Sequence, residues 1–134
     1  ISIKHILEIL CQNYFKNNVD KSKKIEFNII GDEFSISSDK ATSVALVVNE
    51  IVQNATEHAF TTKDSGMVDI KLLKGENFSK IIISDNGVGM EIKKESDSMG
   101  LLIISSLVKD KLKGNLEIRS KKGKGTTIEF DFKN

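Results

Sequence analysis

Glu50, Asn54 and His58 recur at every fourth position, and each such step drifts about 40° around an α-helix. The three therefore form one slanted polar stripe along the border of an apolar one. A carboxylate and a carboxamide in that place can meet a metal–phosphate group without being sunk in a core. Asn54 can give its side-chain oxygen to Mg2+, a hard cation that takes oxygen ligands. Glu50 can accept a proton from an attacking nucleophile. A solvated helix flank is the plain alternative for all three.

A second group follows at Asp85-Asn86-Gly87-Val88-Gly89, directly after the apolar run Ile81-Ile82-Ile83. A carboxylate at a strand end can accept the exocyclic amino proton of adenine, a charge-assisted bond worth roughly 1.5–3 kcal/mol. Gly87 and Gly89 would let backbone pass close to a flat base. A tight hairpin turn is the competing reading of Asp-Asn-Gly, yet no convincing strand follows Gly89. Instead Glu91 to Ser98 is polar and reads as a short flap over a nucleotide. Lys93 or Lys94 in it can touch phosphate, with surface lysines as the plainer reading. Gly100 falls in the first turn of the next helix, where free N–H groups and a partial positive charge suit phosphate. Gly125-Thr126 opens the last strand, and Thr126 could bring a hydroxyl near Asp85 and the base edge; alone, it is a β-branched residue starting a strand.

Other motifs dissolve on inspection. Gly123-Lys124-Gly125-Thr126 lacks the spacing of a P-loop and precedes a strand rather than a helix. Two histidines and one cysteine give no zinc spacing. Asn54-Ala55-Thr56 and Asn77-Phe78-Ser79 match glycosylation acceptors, but nothing points to secretion.

The elements that must hold these groups show in the periodicity. Residues 1–18 place Ile3, Ile6, Leu7, Leu10 and Phe15 at helical spacing. Residues 24–30 alternate like a half-buried strand, Gly31-Asp32 reads as a turn, and Phe34-Ser35-Ile36 as a short strand. Ser37, Ser38 and Asp39 offer N-caps for a helix over about 40–60. Val44, Val48, Ile51, Val52, Ala55 and Ala59 make its apolar stripe. Thr61 to Gly66 reads as a polar loop, 67–73 as a strand, Lys74 to Asn77 as a hairpin turn, and 80–84 as a buried strand. A helix over about 98–112 ends with Gly114 at C′. Strands over about 115–120 and 126–132 close the chain; Ile128, Phe130 and Phe132 alternate with Thr127, Glu129 and Asp131. Clean alternation means a sheet covered on one face only. The expected fold is α+β: a two-layer α/β sandwich whose mixed, mostly antiparallel sheet is covered by three helices.

At 134 residues the chain fits a single domain, 1–134, with 39% hydrophobic residues and a core of ordinary proportion. The net charge of +1 gives no strong steering toward nucleic acid or an anionic membrane. The lysines at 109–113 and 121–124 read as solvated faces. Cys11 stands alone, which fits a reducing, cytoplasmic setting. No apolar run is long enough to span a bilayer. The opening at Ile1, without a methionine, leads us to expect a fragment of a longer protein, whose membrane anchor, if it has one, lies elsewhere. The isolated domain is expected to be monomeric.

Taken in order, these segments resemble the Bergerat-fold ATPase domain shared by gyrase, heat-shock chaperones and sensor histidine kinases, over nearly the whole chain. Asn49-Glu50 through Phe60 resembles the N box, Asp85 to Gly89 the G1 box, Met99-Gly100-Leu101-Leu102 the G2 box, and Gly125-Thr126-Thr127 the terminal Gly-Thr motif. Leu46 to Ala55 resembles histidine kinases of the HWE and HisKA_2 type. The resemblance implies Mg2+-ATP binding, with Asn54 at the metal, Asp85 at adenine and Glu50 as the catalytic residue near the transferred phosphoryl group. It adds His58, Gly87, Gly89, Met90, Gly100, Leu101 and Thr126 to the nucleotide-binding set. It further implies transfer of the γ-phosphoryl group to a histidine on a separate dimerisation and phosphoacceptor domain, then to a response regulator receiver domain. The chain departs from the pattern at Met99 and Leu102, where Leu and Gly are usual, so the flap's hinge has lost a glycine. It carries no helical hairpin with a phosphoacceptor histidine, so it is not expected to be its own substrate. Two alternatives stand beside this reading. One is an anti-sigma-factor serine kinase, whose N box Asn54 to Phe60 also resembles; the other is an ATP-binding module without transfer activity.

Overall fold

The computed structural model describes residues 1–17, 24–55, 65–89 and 99–134. Helix α1 (Ile3–Asn17) is followed by β1 (Lys24–Gly31), α2 (Ser38–Asn54), the hairpin β2 (Ser65–Leu73) and β3 (Phe78–Asp85), α3 (Met99–Ser106), β4 (Leu116–Lys121) and β5 (Gly125–Lys133). The five strands lie in the order β1-β2-β3-β5-β4. Only β1 and β2 run parallel, because α2 crosses between them; the remaining pairs are antiparallel.

Period-two patterning decides which face is buried. Val68, Ile70 and Leu72 of β2, Ile81 and Ile83 of β3, and Ile128, Phe130 and Phe132 of β5 all point inward. They meet Ile3 and Leu7 of α1, Val44, Val47, Val48, Ile51 and Val52 of α2, and Ile104 of α3 in one continuous core. The rings of Phe34, Phe130 and Phe132 stack in series at 6.4 Å. Ser37 caps α2, its hydroxyl accepting from the Lys40 N–H at 3.5 Å, and Asp39 in the first turn suits the helix dipole. Among the described residues no helix is long and apolar enough to cross a membrane.

The architecture matches the sequence expectation; several local features differ. Phe34-Ser35-Ile36 is not a strand but an isolated bridge between Ser35 and Ser2. Strand β2 starts at Ser65, inside the expected loop, because pairing with β1 extends that far. Helix α2 begins at Ser38, and the expected continuation to residue 60, Ala59 included, lies outside the described residues. Helix α3 passes into a wider turn, Leu107–Lys111, in which the Leu112 N–H reaches back to the Leu107 carbonyl at 3.0 Å. The left-handed residue after it is Lys113, with φ 57°, rather than Gly114. Gly114 answers a different demand: a Cβ there would stand 1.8 Å from the Asp131 carbonyl oxygen.

The uncovered face is polar and cross-linked. Lys80 binds Glu129 at 2.7 Å, and Arg119 bridges Glu129 at 3.2 Å and Glu117 at 3.1 Å. The Lys80 hydrogen bond, aided by Arg119 and opposed by desolvation, holds the Glu129 carboxyl below its ordinary 4.5. A depressed folded-state value contributes stability above pH 4.5 that is lost as pH falls through the lower folded value. Urea midpoints should therefore be higher for the wild type than for Glu129→Gln at neutral pH, with the gap closing in acid; a gap independent of pH would contradict this role.

Candidate nucleotide-binding site

One end of the inner sheet face is polar. Asp85 of β3 is the register partner of Thr126 of β5, and Thr126 of Ser120 of β4, so three polar side chains share one cross-strand row. Asp85 Oδ1 accepts the Gly87 N–H at 2.9 Å and the Thr126 N–H at 3.3 Å. Two backbone donors thus orient a carboxylate, which can only accept, at the end of a strand.

The turn after Asp85 is not a hairpin. Its Asn86 is tacked to β2: the Met67 N–H donates to Asn86 Oδ1 at 2.8 Å, and the Asn86 N–H donates to the Met67 carbonyl at 3.2 Å. On the other side, the Gly123 N–H donates to the Val88 carbonyl at 2.6 Å. Gly89 has φ 68°, and a Cβ there would lie 2.1 Å from the Lys121 carbonyl oxygen; Gly125 has φ 97° and the same 2.1 Å approach to the Asp85 carbonyl oxygen. Gly89 therefore lets the turn lie against the β4–β5 backbone. Gly87 is buried, and its described contribution is the N–H to Asp85.

Topology brings the other groups to this end. The β1-α2-β2 crossover starts where β1 finishes and returns the C-terminus of α2 to the start of β2, beside Asp85. Glu50 and Asn54 are half-buried there, between buried Ile51, Val52 and Ala55 and exposed Asn49 and Gln53. That is the border position their spacing predicts. Helix α3 ends against the far end of the sheet, where the Lys133 N–H meets the Leu112 carbonyl, so its N-terminus with Gly100 faces the Asp85 end. The Leu101 side chain belongs to the core, which leaves its backbone for any ligand. Thr126 stands beside Asp85, but its N–H makes the contact while its hydroxyl bonds Ser120 at 2.7 Å. His58, Met90 and the flap at 91–98 lie outside the described residues.

Ser120 was missed from sequence. Its signal is a polar residue at the third inward position of β4, after Leu116 and Ile118, and it acquires meaning only once β4 is registered against β5. A magnesium ion fits the donor set in the manner usual for that ion. Among the described residues no group of three acidic, histidine or cysteine side chains could form a cage, and Mg2+ ordinarily takes one or two protein oxygens together with phosphate and water. Asn54 and Glu50 are such oxygens.

A site built from a helix-border amide, a strand-end aspartate and two obligatory glycines defines an ATPase class that sequence comparison also finds. The profile of the histidine kinase-, DNA gyrase B-, and HSP90-like ATPases matches residues 39–134, and the chain belongs to that family. It is 34% identical to the sensor histidine kinase PdtaS of Mycobacterium tuberculosis over 110 residues, 79% of this chain and 22% of that protein. It is 28% identical to blue-light-activated histidine kinase 2 of Erythrobacter litoralis over 123 residues, 87% of this chain and 34% of the relative. The chain thus spans about a fifth to a third of the length of these relatives. In fold it resembles the Erythrobacter litoralis EL346 blue-light activated histidine kinase, with a TM-score of 0.86 at 24% identity, over 98% of this chain and 42% of that one. The mycobacterial sensor histidine kinase MprB superposes with a TM-score of 0.76 at 16% identity, over 99% of this chain and 95% of that one.

Gly89→Ala should lower stability by about 1–3 kcal/mol, the cost of a non-glycine residue held at a left-handed position, and should weaken ATP binding as the turn lifts off β4. Urea unfolding and nucleotide titration together check this. An unaltered variant in both would mean that the contact with Lys121 is dispensable.

Proposed function

We propose that the chain binds Mg2+-ATP and donates the γ-phosphoryl group to a histidine on a separate dimerisation and phosphoacceptor domain, in two-component signalling. The observation that carries this reading is the Asp85 carboxylate, fixed as an acceptor by the Gly87 and Thr126 N–H groups at the same end of the sheet as Glu50 and Asn54. Asp85 takes the adenine amino group, Asn54 offers an oxygen to the metal, and the N-terminus of α3 at Gly100 faces phosphate. Bound Mg2+ would neutralise phosphate charge. Gly87, Gly89, Leu101 and Thr126 shape the floor by backbone; His58 and Met90 complete the nucleotide-binding set.

In the transfer, the acceptor nitrogen bonds to the γ-phosphorus as the bond to the bridging oxygen breaks, and the electron pair leaves with ADP. Glu50, at the border of α2, takes the proton that the acceptor nitrogen gives up. A receiver domain then takes the phosphoryl group from the histidine. The relatives support a histidine acceptor over a serine: PdtaS is a sensor histidine kinase, and DegS of Bacillus subtilis, 34% identical over 111 residues, is a signal transduction histidine-protein kinase/phosphatase.

Glu50→Ala should keep ATP affinity within about threefold while slowing transfer to a histidine phosphoacceptor domain supplied in trans by roughly 10²–10⁴-fold, the range of a lost general base. Labelled γ-phosphate measures the transfer. Undiminished transfer, or lost binding in a folded variant, would contradict the role given to Glu50. A label that survives acid would identify a hydroxyl acceptor instead.

A further inference from the structure

Ser120 is in the same inward row as Asp85 and Thr126, and nothing in the nucleotide-binding reading uses it. Its hydroxyl oxygen lies 3.2 Å from the Gly125 carbonyl oxygen and 2.7 Å from Thr126 Oγ1. A carbonyl oxygen only accepts, so the single Ser120 hydroxyl proton is committed to Gly125. The Thr126 hydroxyl must then supply the proton of the 2.7 Å bond. That leaves Thr126 Oγ1 with lone pairs and no proton to give. Thr126 is only 9% exposed, so bulk water has little access to blur this direction. The neighbouring Asp85 carboxylate is an acceptor as well.

We infer that Ser120 is a positioning residue that fixes the Thr126 hydroxyl as an acceptor, so that the site takes a purine with an amino group at position 6 and turns away one with a carbonyl oxygen there. An amino group brings two protons to a pair of acceptors. A 6-oxo group brings lone pairs to lone pairs, and buried polar groups left unpaired cost more than a bond gains. An ordinary cross-strand Ser–Thr pair would tie β4 to β5 without touching the choice of base. The inference rests on the nucleotide reading of the Asp85 site and adds the origin of its base selectivity.

The test is calorimetric titration of the wild type, Ser120→Ala and Ser120→Thr with ATP and with ITP, which carries a 6-oxo group and no 2-amino group. The wild type should prefer ATP by tenfold or more. In Ser120→Ala the freed Thr126 proton can turn to the 6-oxo oxygen, so ITP should bind about fivefold tighter, the worth of one ordinary hydrogen bond, while ATP changes less than twofold. Ser120→Thr, which keeps a hydroxyl, should restore the wild-type ratio. An unmoved ratio, or equal weakening of both nucleotides as a purely structural pair would give, overturns the inference while leaving ATP binding intact. If Ser120→Ala does not fold, Thr126→Val removes the acceptor itself, and an undiminished ATP preference in that variant overturns the inference equally. A wild type that binds neither nucleotide overturns both this and the reading beneath it.

Discussion

A carboxylate at the end of a central strand is costly unless its oxygens are engaged, and the Asp85 end of this sheet is organised around that requirement. Two backbone N–H groups, from Gly87 and Thr126, meet Oδ1. For the first, the chain must turn sharply back after β3; for the second, β5 must start beside Asp85. Both demands press backbone against backbone, which is why glycine occupies 89 and 125, where a Cβ would come within 2.1 Å of a carbonyl oxygen. The result is an acceptor whose direction is set before any ligand arrives. Preorganisation of this kind saves the ordering cost that a flexible side chain would bring to binding.

The two layers divide the work. The inner face supplies the core and, at its polar end, the candidate site; the outer face is held by charge pairs centred on Glu129. Helices α2 and α3 run in opposite senses relative to the Asp85 end, so one contributes its C-terminus and the other its N-terminus. A helix C-terminus places side chains such as Glu50 and Asn54; a helix N-terminus places N–H groups and positive potential. Metal-facing oxygens and phosphate-facing donors are thereby drawn from different helices packed side by side.

Much of this was legible in the residues. Alternation at Ile128, Phe130 and Phe132 and the fourfold spacing of Glu50 and Asn54 are local patterns, and local patterns survive folding when the core agrees with them. What escaped is what depends on partners. The bridge at Ser35 is too short to announce itself, and β2 reached back to Ser65 only because β1 lies beside it. Gly114 was read for its backbone freedom, yet Lys113 takes the left-handed angle and Gly114 is needed for its lack of a Cβ against Asp131. The wider turn at Leu107–Lys111 leaves no mark in a stripe of apolar residues. Ser120 had no visible role until strand register set it beside Thr126.

The most direct test of the Asp85 site is calorimetric titration of the chain with a non-hydrolysable ATP analogue, with and without Mg2+, beside Asp85→Asn. The substitution keeps an oxygen for the Gly87 and Thr126 N–H groups but turns the other side-chain atom from acceptor to donor. Saturable, magnesium-sensitive binding by the wild type that vanishes in a variant of unchanged melting temperature is the predicted result. Equal affinity in both proteins would contradict the account, because the base would then be held by something other than the strand-end carboxylate.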